Sequence, residues 1–350
     1  MEPAGIDVML ITPGTNLRYL TGYAAVALER LTCLVLPRDG APFLVVPRLE
    51  EPAARAVPGL DLEIVAYGET DDPYALVARR LPASTRVVGL DDHMWAEKVL
   101  AFRRAMSTVE QTLAGTALRE LRMRKSPDEV AALRRAAAAI DAVHANMGQW
   151  LRPGRTEHEV ATDILAAIVD AGHAKADFAI VASGPNGASP HHESADRVLQ
   201  PGDVVVVDIG GIMPDGYCSD STRNYALGEP PAGYDESFAV LLAAQQAQVA
   251  ATRPGITAGE LDAVGRDLIT AAGFGEFFVH RTGHGIGLDV HEEPYIVAGS
   301  ALVLEPGMAF SIEPGIYLPG RHGARIEDIV VCTVDGGERL NLTDRALTVL

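Results

Sequence analysis

A nine-residue stretch of this chain returns 101 positions later: Arg152-Pro153-Gly154-Arg155-Thr156-Glu157-His158-Glu159-Val160 is echoed by Arg253-Pro254-Gly255-Ile256-Thr257-Ala258-Gly259-Glu260-Leu261. In each copy Pro-Gly stops one long helical pattern and Thr-x-x-Glu opens the next as a capping box, the threonine and the glutamate satisfying free amides of the first turn. Strand-like apolar runs follow each copy, FAIVAS and VVVVDIGG after the first, LVLEPGMAFSIEPG and RIEDIVVC after the second. The pattern predicts two related helix-helix-strand halves that face each other, with any site in the groove between their sheets.

Upstream of the repeat the character differs. LTCLVLP (31–37) and PFLVVP (42–47) are β-rich runs separated by Arg38-Asp39-Gly40, the signature of a hairpin. RLEEPAARAV and DPYALVARRL carry helical spacing, and RVVGLDD reads as a further strand. That alternation predicts a small α/β domain. At Ser126-Pro127-Asp128-Glu129 a second kind of capping box, with Pro at the first helical position, opens an Ala- and Leu-rich helix expected to run to about Trp150. The expected organisation is therefore a smaller α/β domain over 1–121 and an α+β domain of two pseudo-symmetric halves over 122–350. A chain of 350 residues, 48% of them apolar, has material for two cores.

The formal charge of −18 argues against nucleic acid or an anionic membrane surface as partner, by repulsion. Cys33, Cys218 and Cys332 are odd in number and far apart, which disfavours a disulfide framework and a thiolate metal site and points to a reducing compartment. The N-terminal MEPAGIDVMLITPG lacks a basic start and a long apolar run, and no 18-residue apolar segment occurs. The expectation is a soluble, cytoplasmic protein. VVVVDIGG lacks the GxGxxG pattern and the helix that a dinucleotide site needs.

HRTGHGIGLDVHEEP (280–294) contains three histidines. It is no HExxH helix: position 295 is Tyr, and Gly283, Gly285 and Gly287 would each weaken a helix by roughly 1 kcal/mol. On a strand His280 and His284 share a face, while His291 needs a bend to join them. Carboxylates lie elsewhere. Met213-Pro214-Asp215-Gly216 predicts a hairpin that brings Asp208 and Asp220 opposite or diagonal to one another. Two unpaired carboxylates at the end of a buried valine strand would repel, and a cation relieves that. Glu313 in SIEPGIY and Glu327 in RIEDIVV are embedded in apolar strand sequence. Two Asp, one His and two Glu form an oxygen-rich donor set suited to a pair of divalent ions such as Mn²⁺, Co²⁺ or Zn²⁺.

DIGG…GYCSDSTR, HRTGHGIGLDVHEEP, SIEPGIY and GARIEDIVV, in that order, resemble the pita-bread metallopeptidase family of methionine aminopeptidase, aminopeptidase P, prolidase and creatinase. The likeness is strong over about 125–350, and residues 1–121 resemble the creatinase/prolidase N-terminal domain more loosely. It implies that Asp208, Asp220, His284, Glu313 and Glu327 hold two metal ions, Glu313 also taking the proton of a bridging water. It implies that His191, in SGPNGASPHHES, and His291 contact the scissile peptide and its tetrahedral successor. His280, Tyr295, Tyr317 and Arg325 become substrate-side residues, Arg325 also orienting a ligand carboxylate. The Asp208-to-Asp220 interval is one residue longer than is usual in the family, an extra residue that the PDG turn could absorb as a bulge without moving either carboxylate. A homodimer and a small peptide substrate are further implications.

Three functions compete: a two-metal exopeptidase, a creatinase-like hydrolase of a non-peptide substrate, and a non-catalytic relative. The filled ligand set favours the first. Among exopeptidases the likeness points to Xaa-Pro substrates. Prolidases resemble one another in an Arg shortly after the equivalent of His291; here position 295 is Tyr and no Arg lies between Arg281 and Arg321. The expectation is therefore aminopeptidase P activity on Xaa-Pro-Xaa peptides, with prolidase as the alternative.

Overall fold

The alternating strands and helices at the start of the chain assemble into one mixed sheet. The computed structural model describes residues 1–350, which divide into two units, Met1–Leu121 and Arg122–Leu350. In the first, β1 (Val8–Ile11), β2 (Cys33–Pro37), β3 (Phe43–Pro47), β4 (Glu63–Tyr67), β5 (Val87–Leu90) and β6 (Glu110–Leu113) lie in the order β4-β3-β2-β1-β5-β6. β2 and β3 form the expected antiparallel hairpin. β3–β4 and β5–β6 are parallel because a helix crosses between each pair, α2 (Glu51–Arg55) and α4 (Ala96–Ala105). α1 (Thr15–Thr21) and α3 (Pro73–Arg80) fill the remaining connections. Strand alternation divides the buried side chains: Val8, Leu10, Val35 and Val88 join one core, Met9, Ile11, Leu34 and Leu44 the other.

After α5 (Gly115–Arg122) the Ser126 capping box forms and opens α6 (Pro127–His144). This helix ends short of Trp150. The Asn146 side chain bonds the Ala142 carbonyl at 2.8 Å, competing with the helical ladder, and a 3₁₀ turn at Met147–Gln149 completes the path.

The repeat is realised in detail. Thr156 and Thr257 cap α7 (Glu157–Asp170) and α9 (Ala258–Ala271) with complete capping boxes. Gly154 and Gly255 precede them at φ 91° and 90°, a left-handed conformation glycine adopts without strain. Gly154 N bonds Leu199 O at 2.9 Å, and Gly255 N bonds Leu304 O at 3.0 Å. Thr156 bridges Val198 as Thr257 bridges Val303.

Each half adds a sheet. In the first, β7 (Lys175–Ser183), β8 (Val204–Ile212) and β9 (Cys218–Ala226) are joined by the C-terminal β17 (Thr348–Val349) in the order β17-β9-β8-β7. The second half follows α8 (Tyr234–Ala251) and α9, with β10 (Gly283–Gly285), β11 (Glu292–Ile296), β12 (Ala309–Ile312), β15 (Asp328–Thr333) and β16 (Gly336–Arg339) in the order β11-β10-β12-β15-β16. β13 (Gly315–Leu318) and β14 (His322–Arg325) form a separate hairpin. Ile140 of α6 and Val160, Ile164 and Ile168 of α7 pack on Val205, Val207 and Ile209 of β8. Each such side chain stabilises the fold by about 1.5–3 kcal/mol. In the second half Leu261 of α9 packs with Phe310, Ile312 and Val330.

The halves are tied across their inner edges by polar bonds. Asn224 Nδ2 donates to Arg325 O at 2.6 Å, Arg223 Nη1 to Glu327 O at 2.6 Å, and Glu327 N to Thr222 O at 3.2 Å. This is where the candidate ligands converge.

Candidate metal centre

The β8–β9 hairpin pairs Asp208 with Thr222 and Gly210 with Asp220, which puts the two aspartates on one face in the diagonal relation. Asp208, Asp220 and Glu327 are all buried, as is His284. His284 reaches them from β10, where the glycines serve close packing: a Cβ on Gly283 would lie 1.9 Å from Ser311 O, and one on Gly285 2.2 Å from Glu293 O. The bends between β10 and β11 return the chain so that the rings of His284 and His291 stand 4.0 Å apart.

His284 Nδ1 lies 3.1 Å from Gly285 O, so this nitrogen carries the proton and Nε2 presents a lone pair. Nε2 faces Glu313 Oε1 at 3.1 Å and Asp220 Oδ2 at 3.7 Å. Ser311 Oγ donates to Glu313 Oε1 at 2.9 Å and accepts from His284 N at 3.0 Å, joining the two. Thr222 Oγ1 donates to Glu327 Oε2 at 2.8 Å, and Arg325 Nη2 to Asp208 Oδ2 at 2.6 Å. Asp208 Oδ1 and Glu327 Oε1, both buried, have no hydrogen-bond partner.

Burial, and then the charges of Asp208 and Glu313, push the Asp220 carboxyl well above its usual range. Burial and the charges of Asp220, Glu313 and Asp208 do the same to Glu327. A proton on His284 Nε2 would hold Glu313 down against the effect of burial, through its bond and charge; a cation between the two would take the place of that proton. Crowded acceptors, an imidazole lone pair aimed at carboxylates and two orphaned buried oxygens fit a divalent cation. Ligand atoms of Asp220, His284 and Glu327 all lie within 4.8 Å of one another.

A cavity of about 970 Å³ opens over this cluster, lined by all five carboxylate and imidazole groups together with His191, His280, Arg281, His291 and Arg325. Phe178, Ile180, Val279 and Val290 form its apolar wall. Two residues expected on the substrate side are placed elsewhere. Tyr317 is buried behind the wall, its hydroxyl 2.9 Å from His280 Nε2 and accepting from Arg325 Nη1 at 2.8 Å. Tyr295 pairs with His284 across the β10–β11 ladder and lies under the Arg281 guanidinium, 4.3 Å from ring centroid to Cζ. His280 Nδ1 lies 2.7 Å from Arg281 O and so donates, leaving Nε2 to accept from Tyr317. Burial lowers the pKa of His280, consistent with this neutral form.

The N-terminal segment matches the creatinase/prolidase N-terminal domain over residues 1–124, and residues 131–334 match metallopeptidase family M24. The chain belongs to the M24 metallopeptidases. The probable dipeptidase PepE of Mycobacterium tuberculosis is 52% identical over 349 residues, covering 99% of this chain and 93% of its relative. The Xaa-Pro dipeptidase of Lactobacillus delbrueckii subsp. lactis is 38% identical over 362 residues, covering 100% and 96%. The crystal structure of dipeptidase PepE from Mycobacterium ulcerans superposes with a TM-score of 0.94 at 52% identity, covering 99% and 94%. As an M24 metallopeptidase the chain is a metal-dependent exopeptidase, and its two-domain architecture is that of solved prolidases such as the one from Thermococcus sibiricus, which superposes with a TM-score of 0.93 at 37% identity, covering 100% and 96%.

Five further residues surround this M24 site that the sequence did not single out. Arg281 stands on the cavity wall. Lys125 Nζ lies 2.5 Å from Glu292 Oε1, with Arg122 also on Glu292, so the residue after His291 is clamped by two cations. Buried Asp262 of α9 accepts from Thr282 N at 3.1 Å and Thr282 Oγ1 at 2.9 Å, beside His280 and His284. Buried Glu157 of α7 does the equivalent for the loop of His191.

Proposed function

We propose that the chain is an Xaa-Pro dipeptidase that works with a pair of divalent ions. The observation that carries the dipeptide is Arg281, whose guanidinium stacks over Tyr295 on the wall that also bears His280 and His291. A planar guanidinium held on an aromatic face matches the two oxygens of a proline carboxylate. The expectation of longer peptides rested on the want of an Arg after His291. Arg281 would supply that charge from the segment just before β10, over the ring of Tyr295 in β11. Relatives at 52% and 38% identity, both named dipeptidases, support the same choice. Cleavage of Xaa-Pro-Xaa peptides is the less supported alternative.

When bound, the ions would lower the pKa of a coordinated water and polarise the scissile carbonyl. Asp208, Asp220, His284, Glu313 and Glu327 would hold them. Glu313, with Oε1 engaged by Ser311, has Oε2 for an incoming proton. His191 and His291 donate to the oxygen of the scissile peptide as its charge develops. His280, its nitrogens already paired, offers a ring face to the proline. A cytoplasmic homodimer completes the reading on family likeness alone; sedimentation of a fully active monomer at micromolar concentration would contradict the dimer.

The substrate class is tested by steady-state hydrolysis of Ala-Pro and Ala-Pro-Ala after loading with Mn²⁺, Co²⁺ or Zn²⁺. kcat/KM is expected to be about tenfold or more higher for the dipeptide, the worth of one charge-assisted contact. A preference of that size for the tripeptide would restore aminopeptidase P.

A further inference from the structure

The loop that carries His191 follows the end of β7 at Ser183, runs to Arg197 and contains only the 3₁₀ turn Gly184–Ala188, so no sheet ladder fixes the histidine. Ser194 and Arg197 tie it to β7, through Val181 N and Ser183 Oγ, and one fully buried carboxylate gathers the rest. Glu157 Oε1 accepts from Ser183 N at 2.7 Å, Ser183 Oγ at 2.6 Å and Asn186 Nδ2 at 3.1 Å. Glu157 Oε2 accepts from His192 Nε2 at 2.7 Å, Asn186 Nδ2 at 3.1 Å and Ala195 N at 3.2 Å. Glu157 lies in the first turn of α7, yet it does not cap that helix: Thr156 and Glu159 already do so, and Glu159 is exposed. Every side-chain bond to the Glu157 carboxylate comes from the loop or from Ser183, at which β7 hands over to it.

On the other side of His191, Arg325 Nη1 donates to Pro190 O at 3.2 Å while Nη2 holds Asp208. The histidine is thus bracketed: Pro190 is tied to the guanidinium that orients a candidate ligand, and His192 is tied to Glu157. The ring between them lines the cavity. Gly187 reinforces the seat, since a Cβ on the facing Gly323 would lie 2.0 Å from Gly187 O. Burial by itself would raise the Glu157 pKa, but the Ser183, His192 and Asn186 bonds hold it below the usual value, so the charged, acceptor-only form is the one the loop is built around.

We propose that Glu157 is a positioning residue that acts through His192 and the 183–195 loop to fix the ring of His191 over the candidate metal centre. The inference rests on the reading of His191 as a group that contacts the scissile peptide. Placement errors of about 1 Å at a reacting group cost on the order of 100-fold in rate, whereas binding of the ground state suffers less. A carboxylate that only stabilised the fold would leave that split unchanged.

The test is a double-mutant cycle on the metal-loaded enzyme, with kcat, KM and metal content measured for Glu157→Gln, His191→Ala and the pair. Glu157→Gln is expected to lower kcat about 10- to 100-fold, with KM within about threefold of the parent and metal content unchanged. In the His191→Ala background the same change should lower kcat by less than about twofold. An undiminished effect in that background, or parental kcat in Glu157→Gln, would overturn the proposal. Parental turnover in His191→Ala would overturn it too, and would lay the fault with the role of His191 rather than with Glu157. If Glu157→Gln does not fold, His192→Ala and His192→Gln decide. The glutamine amide can still donate to Glu157 and should recover most of the kcat that alanine loses; equal turnover of the two variants would refute the positioning role.

Discussion

Asp208 is divided between two demands: its Oδ2 lies 2.6 Å from Arg325 Nη2, while its buried Oδ1 has no partner at all. One oxygen is oriented by a fixed cation and the other is left as an acceptor aimed into the cluster. Outer partners of this kind typically change metal affinity by about 10- to 100-fold when removed. Arg325→Met is therefore expected to weaken metal binding by that factor, read by competition with a chelating dye. Unchanged affinity would mean that the guanidinium serves the loop at Pro190 and not the ligand.

The ligand set makes a sharper prediction. Parent enzyme should carry two equivalents of divalent metal by elemental analysis, and Asp208→Ala, His284→Ala and Glu327→Ala should each lose metal and activity together. His291→Ala, whose ring stands beside His284 without reaching a carboxylate, should keep its metal and lose catalysis by roughly two to four orders of magnitude. Full metal occupancy in all three ligand variants would remove the centre from where it has been located.

Much of this was readable from local signals. The two halves were visible because capping boxes and Pro-Gly stops are local, and they recur in the structure down to the Gly154 and Gly255 backbone angles. Asp208 and Asp220 could be paired because a turn sets the register of its own hairpin. What could not be read depended on distant register. Glu157 and Glu159 sit two apart at the same helix start, and nothing in RTEHE separates a buried loop anchor from an exposed cap. Lys125 meets Glu292 across 167 positions. Arg281 was in view, but the clamp was sought after His291 along the chain. The guanidinium proposed for it stands before β10 and reaches over Tyr295, the residue that pairs with His284.

Acid should destabilise the fold through His144. Its Nδ1 lies 3.0 Å from Tyr225 Oη and its Nε2 3.2 Å from Ser221 O, and burial, with the nearby Arg223 charge, pushes its pKa down to about 3. Above the unfolded value of about 6.5 neither state takes the proton. Below it the unfolded chain does and the folded one does not, so this histidine lowers the unfolding free energy by about 1.4 kcal/mol per pH unit between about 6.5 and 3. Urea denaturation at pH 7, 6 and 5 should show a steeper decline for the parent than for His144→Gln. Parallel declines would contradict the assignment.

If the Arg281 guanidinium reads the carboxylate of a dipeptide, as proposed, Arg281→Ala measured on Ala-Pro and on Ala-Pro amide shows it most directly. The parent should prefer the free acid by roughly 10- to 100-fold in kcat/KM, the equivalent of a charge-assisted bond of about 1.5–3 kcal/mol. The variant should lose that preference, through KM for the acid, while hydrolysing the amide as the parent does. An acid preference that survives in Arg281→Ala, or a parent that never had one, would contradict the dipeptidase reading.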